Sequence, residues 1–223
     1  MDSQNITPQL RSNIIKAAVI FIVAFIVILI PWLYILDSYY GMVIAKVATY
    51  VITFIKNVEV TEFLRDEDII TVGLIPAQTG LSRVIETTIE IPTSNYAFNI
   101  PLSLSIMAAF YPFIKSKWIY LEVIAILVFI HFIFVFSLEG EKLTKILTIH
   151  GYEDPSSVVQ IFWEFLWGFV DNMVLRFEPF LIGAYLFFMR DRERKKPAVI
   201  DQQAEAPKQH PVYRKKKSKK KRR

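Results

Sequence analysis

Unbroken apolar runs and short polar interruptions alternate along this chain. From Ile14 to Leu36 a single charge, Lys16, precedes a run containing Ala18, Ile20, Phe21, Phe25, Ile28 and Ile30. A helix needs about 20 apolar residues to cross roughly 30 Å of hydrocarbon, and this run has them. Pro31-Trp32-Leu33-Tyr34 follows it where a secretory leader would carry small residues, so it reads as an uncleaved signal anchor with Trp32 and Tyr34 at the outer interface. A second run, 98–114, opens on Asn99-Ile100-Pro101, where proline fits a first helical turn whose amides lack partners anyway. A third covers 118–136. The fourth, 174–189, stops at Arg190-Asp191-Arg192-Glu193-Arg194-Lys195-Lys196. The pattern predicts an α-helical integral membrane protein with four transmembrane helices.

The segments between the runs have other periods. Within 37–97, residues 41–57 carry Met42, Val43, Ala45, Val47, Val51, Ile52, Phe54 and Ile55. They read as a helix lying in the interface, with a fifth crossing as the rival. From Val58 to Pro92 the period becomes two. Ile85, Thr87, Ile89 and Ile91 alternate with Val84, Glu86, Thr88 and Glu90, and Val60–Leu64 and Ile69–Ile75 are shorter candidates. Asp66-Glu67-Asp68 and Gln78-Thr79-Gly80 supply turns. The expectation is a three-stranded antiparallel sheet, too small to stand without packing on a helix or a partner. In 137–173, Leu138, Leu143, Ile146 and Leu147 share a helix face opposite Glu139, Glu141, Lys142 and Lys145. A second amphipathic helix starts after Asp154-Pro155 and is rich in Phe and Trp.

Charge orients these pieces. Residues 190–223 hold 15 Lys and Arg against 4 Asp and Glu, so the formal net charge of +5 over 223 residues belongs to the tail. Positives concentrate in short cytoplasmic segments. Placing 1–13, the 115–117 loop and 190–223 inside leaves 37–97 and 137–173 outside, both acidic. The expected location is therefore a bacterial cytoplasmic (inner) membrane, multi-pass, N-in and C-in. After a Pro/Gln/Ala linker (197–211), Arg214, Lys215, Lys216, Lys217, Lys219, Lys220 and Lys221 form a polybasic terminus. Beside a membrane each such residue attracts anionic lipid by about 1 kcal/mol. Nucleic acid, the rival partner, is disfavoured because Tyr213 is the only interleaved aromatic.

Candidate chemistry is sparse. Cysteine is absent, which removes disulfides, thiolate nucleophiles and cysteine-held metals. The chain contains no G-x-S-x-G, H-E-x-x-H or phosphate-binding glycine loop. The expected inventory is no catalytic residue, no cofactor and no metal. Ionisable groups in or beside a span are costly and are candidate functional contacts by default: Glu122, His131, Arg176 and Glu178. Arg176 and Glu178, two apart, point in different directions on a helix and need other partners, Asp171 among the candidates.

The layout resembles the exosortase H-associated membrane protein family. The resemblance covers roughly 14–190. It rests on the N-terminal span, the outer strand region, Asn95-Tyr96-Ala97-Phe98-Asn99-Ile100-Pro101-Leu102 leading into a helical hairpin, and a long last helix through Glu178-Pro179-Phe180. It implies a non-catalytic accessory role in an envelope protein-sorting system, beside an exosortase or its sorted substrate. Exosortases look to a Cys, Arg and His set, and this chain has no Cys. Two alternatives remain: a small membrane enzyme or transporter with Glu122, His131, Arg176 and Glu178 converging on a polar cavity, and a tether whose basic tail recruits a cytoplasmic partner.

Because the chain lacks cysteine, single introduced thiols report sidedness. Thr88→Cys is expected to react with a membrane-impermeant maleimide in intact cells lacking a permeable outer barrier, and Ser116→Cys only after lysis. Equal labelling of both in intact cells would overturn the orientation.

Overall fold

The computed structural model describes residues 8–77, 86–154 and 156–204, with side chains described from 11 to 192 within them. The polybasic terminus, and the start of the third expected strand, lie outside the described residues. The helices are α1 (Pro8–Pro31), α2 (Asp37–Lys56), α3 (Ser94–Ala97), α4 (Asn99–Phe110), α5 (Lys117–Ile149), α6 (Ser157–Phe169) and α7 (Arg176–Ala204). The strands are β1 (Val58–Asp66), β2 (Ile69–Pro76) and β3 (Thr87–Pro92).

Three helices are long and apolar enough to cross a membrane: Arg11–Lys56, Lys117–Ile149 and Ser157–Arg192. The first and third are joined rods. A π-turn, Trp32–Leu36, links α1 to α2, and a second, Val170–Leu175, links α6 to α7. At 1.5 Å per residue the 46-, 33- and 36-residue rods rise about 69, 50 and 54 Å, well beyond one hydrocarbon thickness. The fourth expected crossing, 98–114, is shorter: α4 has 12 residues and continues only through a 3-10 turn, Tyr111–Phe113. It packs between α1 and α7.

Two expectations about the outer segments change. Residues 41–57 continue the first rod with no chain reversal, which removes the fifth crossing. They stand alongside α5 instead of lying flat. Likewise 118–136 and the first amphipathic segment of 137–173 form one helix, α5, because no glycine-proline break intervenes and Gly140 alone is tolerated within it. Trp32, expected at the lipid interface, is buried against Tyr40 at 5.5 Å between ring centres, while Tyr34 stays exposed.

The sheet forms as its alternation predicts. Its order is β1-β2-β3, antiparallel, with Ile70 opposite Ile91 and Val72 opposite Ile89, and a bulge at Val60/Glu62. Ile70, Val72, Leu74, Ile89 and Ile91 fill the inner face, fully buried, against α2 and α5. Asn57, in the left-handed conformation that asparagine tolerates, ends α2 and turns the chain into β1. Arg65 pins the sheet to the base of α2, with Nη2 on Asp37 Oδ2 at 3.0 Å and Nη1 on the Ser38 carbonyl at 2.8 Å. Lys142 Nζ donates to the Glu90 carbonyl at 2.8 Å and ties β3 to α5.

Two cores result. The lower one joins Met107, Ile114, Ile119, Val123, Leu127, Ile182 and Leu186 from α4, α5 and α7. The upper one gathers the sheet, α2, the middle and top of α5, and Trp163, Val170 and Leu175. Ile15, Ile22, Ile26 and Ile30 of α1 stay more than half exposed, as a lipid-facing helix requires.

At Gly140 a side chain would run into the Trp163 ring, so this residue sets how closely α5 and α6 approach. Gly140→Val is expected to lower the stability of the detergent-solubilised protein by about 1–3 kcal/mol through overpacking. The check is thermal unfolding followed by tryptophan fluorescence; an unchanged transition would show that α6 does not seat on α5.

Candidate functional site

Why α2 aligns with α5 is visible in its periodicity. Gly41, Ile44, Ala45, Ala48, Thr49, Ile52, Thr53 and Lys56 recur every three or four residues and are its buried face. Ala45 and Ala48 keep this face narrow where α2 packs, Gly41 makes room for Thr93, and the polar members of the stripe face an apolar bundle. Each buried polar group needs a partner there.

Thr49 finds its partner on α5, Thr53 bonds back to the Tyr50 carbonyl of its own helix, and Lys56 reaches Glu153 past the end of α5; below them a second network joins α2, α4, α5 and α7. His131, fully buried on α5, receives a contact on each ring nitrogen. Tyr40 Oη lies 2.7 Å from Nδ1 and Glu178 Oε2 lies 2.7 Å from Nε2. Ser103 Oγ of α4 donates to Glu178 Oε1 at 3.1 Å. One hydrogen assignment satisfies all three contacts: Tyr40 donates to Nδ1, the Nε2–H donates to Glu178, and Ser103 donates to the other carboxyl oxygen. The chain Tyr40-His131-Glu178-Ser103 thus ties four helical segments together. Tyr96 packs its ring 5.5 Å from that of His131 and donates its hydroxyl to the Gly41 carbonyl at 3.1 Å. His131, Glu178 and Ser103 are all 0% exposed.

Higher up, Thr49 Oγ1 donates to Glu139 Oε1 at 2.6 Å, and Lys56 Nζ meets Glu153 Oε2 at 2.8 Å. Glu139 is fully buried and Glu141 nearly so, although their spacing placed both on a solvent face. The cause is that α2, α6 and β3 surround α5 between Ser137 and Glu141 on every side. Glu139 Oε2 is a buried oxygen without a hydrogen-bond partner among the described residues.

Of the four ionisable residues singled out from the sequence, the fold brings two together. Glu178 reaches across from α7 to His131. Glu122, an exposed residue, instead accepts from Tyr185 Oη at 2.5 Å, nine residues or about 13 Å along α5 from His131. Arg176 is exposed and approaches Asp171 Oδ2 at 3.8 Å, at the edge of a groove of about 290 Å³ lined also by Asn95, Asn99 and Leu175. A second cleft, of about 230 Å³, opens between α5 and α6 beside Glu141, Lys145, Gln160 and Glu164. Lys145 forms ion pairs with Glu141 and Glu164 at its mouth. Among the described residues no cluster of three or more His, Asp or Glu side chains could hold a metal ion. The candidate lipid contacts of the tail lie outside the described residues.

The chain matches no protein-family model, no curated protein and no solved structure. Tyr40, Ser103 and Thr49 are the members that sequence reading missed. The available signal was hydroxyl residues recurring on otherwise apolar helices, which have to find a partner inside the bundle.

Glu178→Ala is expected to leave His131 Nε2 and Ser103 unsatisfied and to cost about 1–3 kcal/mol. The double variant His131→Phe/Glu178→Leu, which removes the pair but leaves the Tyr40 and Ser103 hydroxyls without their acceptors, is expected to lose less than the sum of the single variants His131→Phe and Glu178→Leu. Unfolding in a single defined detergent gives these values; additive losses would show that the two side chains do not interact.

Proposed function

We propose that this chain is a non-catalytic accessory protein of a bacterial exosortase-type envelope protein-sorting system. In this reading it crosses the inner membrane four times with both ends in the cytoplasm. The family part of the proposal rests on the resemblance in its span layout and in the Asn95–Leu102 stretch. The accessory part is carried by one observation: α2 and α6 turn large, exposed apolar side chains away from the bundle.

The buried face of α2 sets Thr49, Thr53 and Lys56 beside Ile44, Ala45, Ala48 and Ile52, and α6 buries Trp163, while large apolar side chains dominate the outward faces, with Lys46, Gln160 and Glu164 among them. On α2 the apolar ones are Val43, Val47 and Phe54, the last 89% exposed; on α6 they are Val158, Ile161, Phe162 and Phe165. A continuous apolar face that continues beyond one hydrocarbon thickness is the signature of a protein contact surface. The intramembrane ionisable groups, by contrast, are closed off or separated. That favours a companion which presents a surface over a catalyst which presents a cleft.

The small-enzyme or transporter reading retains a specific point in its favour, since His131 and Glu178 do converge from two helices. It requires Glu122 and Arg176 to join them, and they engage Tyr185 and Asp171 elsewhere.

Complementation of a deletion strain separates these readings. Envelope proteins bearing C-terminal sorting signals are expected to stay unprocessed in the deletion strain. Phe54→Glu/Phe165→Glu is expected to fail to restore processing at normal abundance, whereas His131→Phe/Glu178→Leu and a truncation lacking 197–223 restore it. Normal processing in the deletion strain overturns the sorting role. Loss of function confined to the His131/Glu178 variant favours the catalyst, and loss confined to the truncation favours the tether.

A further inference from the structure

The groove between α3, α4 and the α6–α7 joint has a polar lining at a defined depth. Its walls are Asn95, Asn99, Asp171, Leu175 and Arg176. Along α7, Arg190 lies 14 residues beyond Arg176 and 19 beyond Asp171, about 21 and 29 Å at helical rise. Arg190 opens the cationic run that marks one membrane boundary. Roughly one hydrocarbon thickness away, the groove sits at the opposite boundary, where lipid headgroups lie. Lys16 and Asp37 bracket the first rod by a similar 21 residues, about 32 Å.

The π-turn Val170–Leu175 makes the groove's charge pair. In a regular α-helix, residues five apart lie about 140° apart around the axis. The i to i+5 bonding of a π-turn stacks them, and such turns recur at functional sites. Asp171 and Arg176 are five apart, and their side chains meet at 3.8 Å. That is an ion-pair distance and too long for a hydrogen bond, so the five guanidinium donors and the carboxylate oxygens keep their capacity for another group. Arg176 has a side chain 67% exposed. Asn99 is fixed by its Nδ2 bond to the Leu175 carbonyl at 2.8 Å, which leaves its side-chain oxygen as an acceptor, and Asn95 adds an exposed amide.

This lining is zwitterionic. A planar guanidinium binds phosphate through paired hydrogen bonds, and a carboxylate a few ångströms away suits an ammonium. Their charges sum to zero, so a neutral headgroup carrying both signs complements them better than an anionic one, whose second charge would face Asp171. The surface next to the groove suits acyl chains. Phe98 and Phe177 adjoin groove residues in sequence, Phe180 lies one turn from Arg176, and they are 52%, 53% and 73% exposed.

We propose that this groove binds the headgroup of a phospholipid that carries both a phosphate and a primary ammonium, with Arg176 on the phosphate and Asp171 on the ammonium. The bound lipid would bridge the start of α4 to the head of α7, next to the layer in which Glu178 engages His131.

Native mass spectrometry of the full chain tests this, with the detergent-solubilised protein offered phosphatidylethanolamine, phosphatidylcholine, phosphatidylglycerol or inorganic phosphate. The wild type is expected to retain phosphatidylethanolamine in preference to the other three. Arg176→Gln is expected to weaken that retention about tenfold, the effect of losing roughly 1.4 kcal/mol. Arg176→Lys should keep the charge but lose the paired bonds and retain an intermediate amount. Asp171→Asn should abolish the preference over phosphatidylcholine and phosphatidylglycerol while leaving some lipid bound. Arg176 is exposed and Asp171 half-buried, and a thermal melt of each variant within a few degrees of wild type confirms folding. Identical adducts in all variants, a preference for phosphatidylglycerol in the wild type, or displacement of lipid by equimolar inorganic phosphate would each overturn the assignment.

Discussion

Two helices that run parallel and side by side need something to fix how far each has slid along the other. Apolar contacts do this weakly, because sliding exchanges one methyl contact for another. Between α2 and α5 the register is set by polar rungs: Tyr40 to His131 and Thr49 to Glu139, with Lys56 to Glu153 just past the end of α5. Each rung has a partner only in this register, and a slip of one turn would bury every one of them unsatisfied, at about 1–3 kcal/mol per group. The sheet depends on the same pairing. Its inner face rests on the surface that α2 and α5 create together, and Arg65 and Lys142 tie it to each helix separately. A three-stranded sheet of this size is marginal alone. Once the two helices are locked, its buried Ile70, Val72, Leu74, Ile89 and Ile91 have a floor.

The parts legible in the sequence were those governed by local periodicity. The first apolar run, the alternation around Ile89 and Ile91, and the amphipathic stretch before α7 each have one dominant period, and each became the predicted element. The continuity of helices across the membrane boundary was not legible. Nothing local distinguishes a helix that ends at Leu36 from one that passes through a π-turn into Asp37, because both termini and π-turns are accommodated by the same residue types. The burial of Glu139 was hidden for a different reason. A charge opposite an apolar stripe normally faces water, and here tertiary packing closes α2, α6 and β3 around both faces of α5.

The candidate site divides along the same line. His131 and Glu178 could be singled out one at a time because ionisable groups in apolar runs are costly. That they belong together, and that Tyr40 and Ser103 complete them, depends on how four helical segments are arranged, and no spacing in the sequence encodes that. Arg176 was different. Its link to Asp171 joins residues five apart, so it was open to local reasoning, and the π-turn that makes the pair is itself a local event.

The two cores also differ in what they can tolerate. The lower one, from Met107 to Leu186, buries apolar side chains alone, and the polar link between its helices, Tyr185 of α7 to Glu122 of α5, lies at its exposed edge. Beside the upper one lies a buried carboxyl oxygen, Glu139 Oε2, with no hydrogen-bond partner among the described residues, and Thr49 holds the other oxygen of the same group. An apolar residue there would remove that cost and would also remove a rung. The middle rung therefore gives up some stability for a fixed alignment of α2 with α5. That alignment in turn fixes where the outward apolar faces of α2 and α6 stand relative to one another, because both helices pack on α5. Side-chain pairs hold it in one register, which contact with lipid chains, equally apolar at every height, would not do.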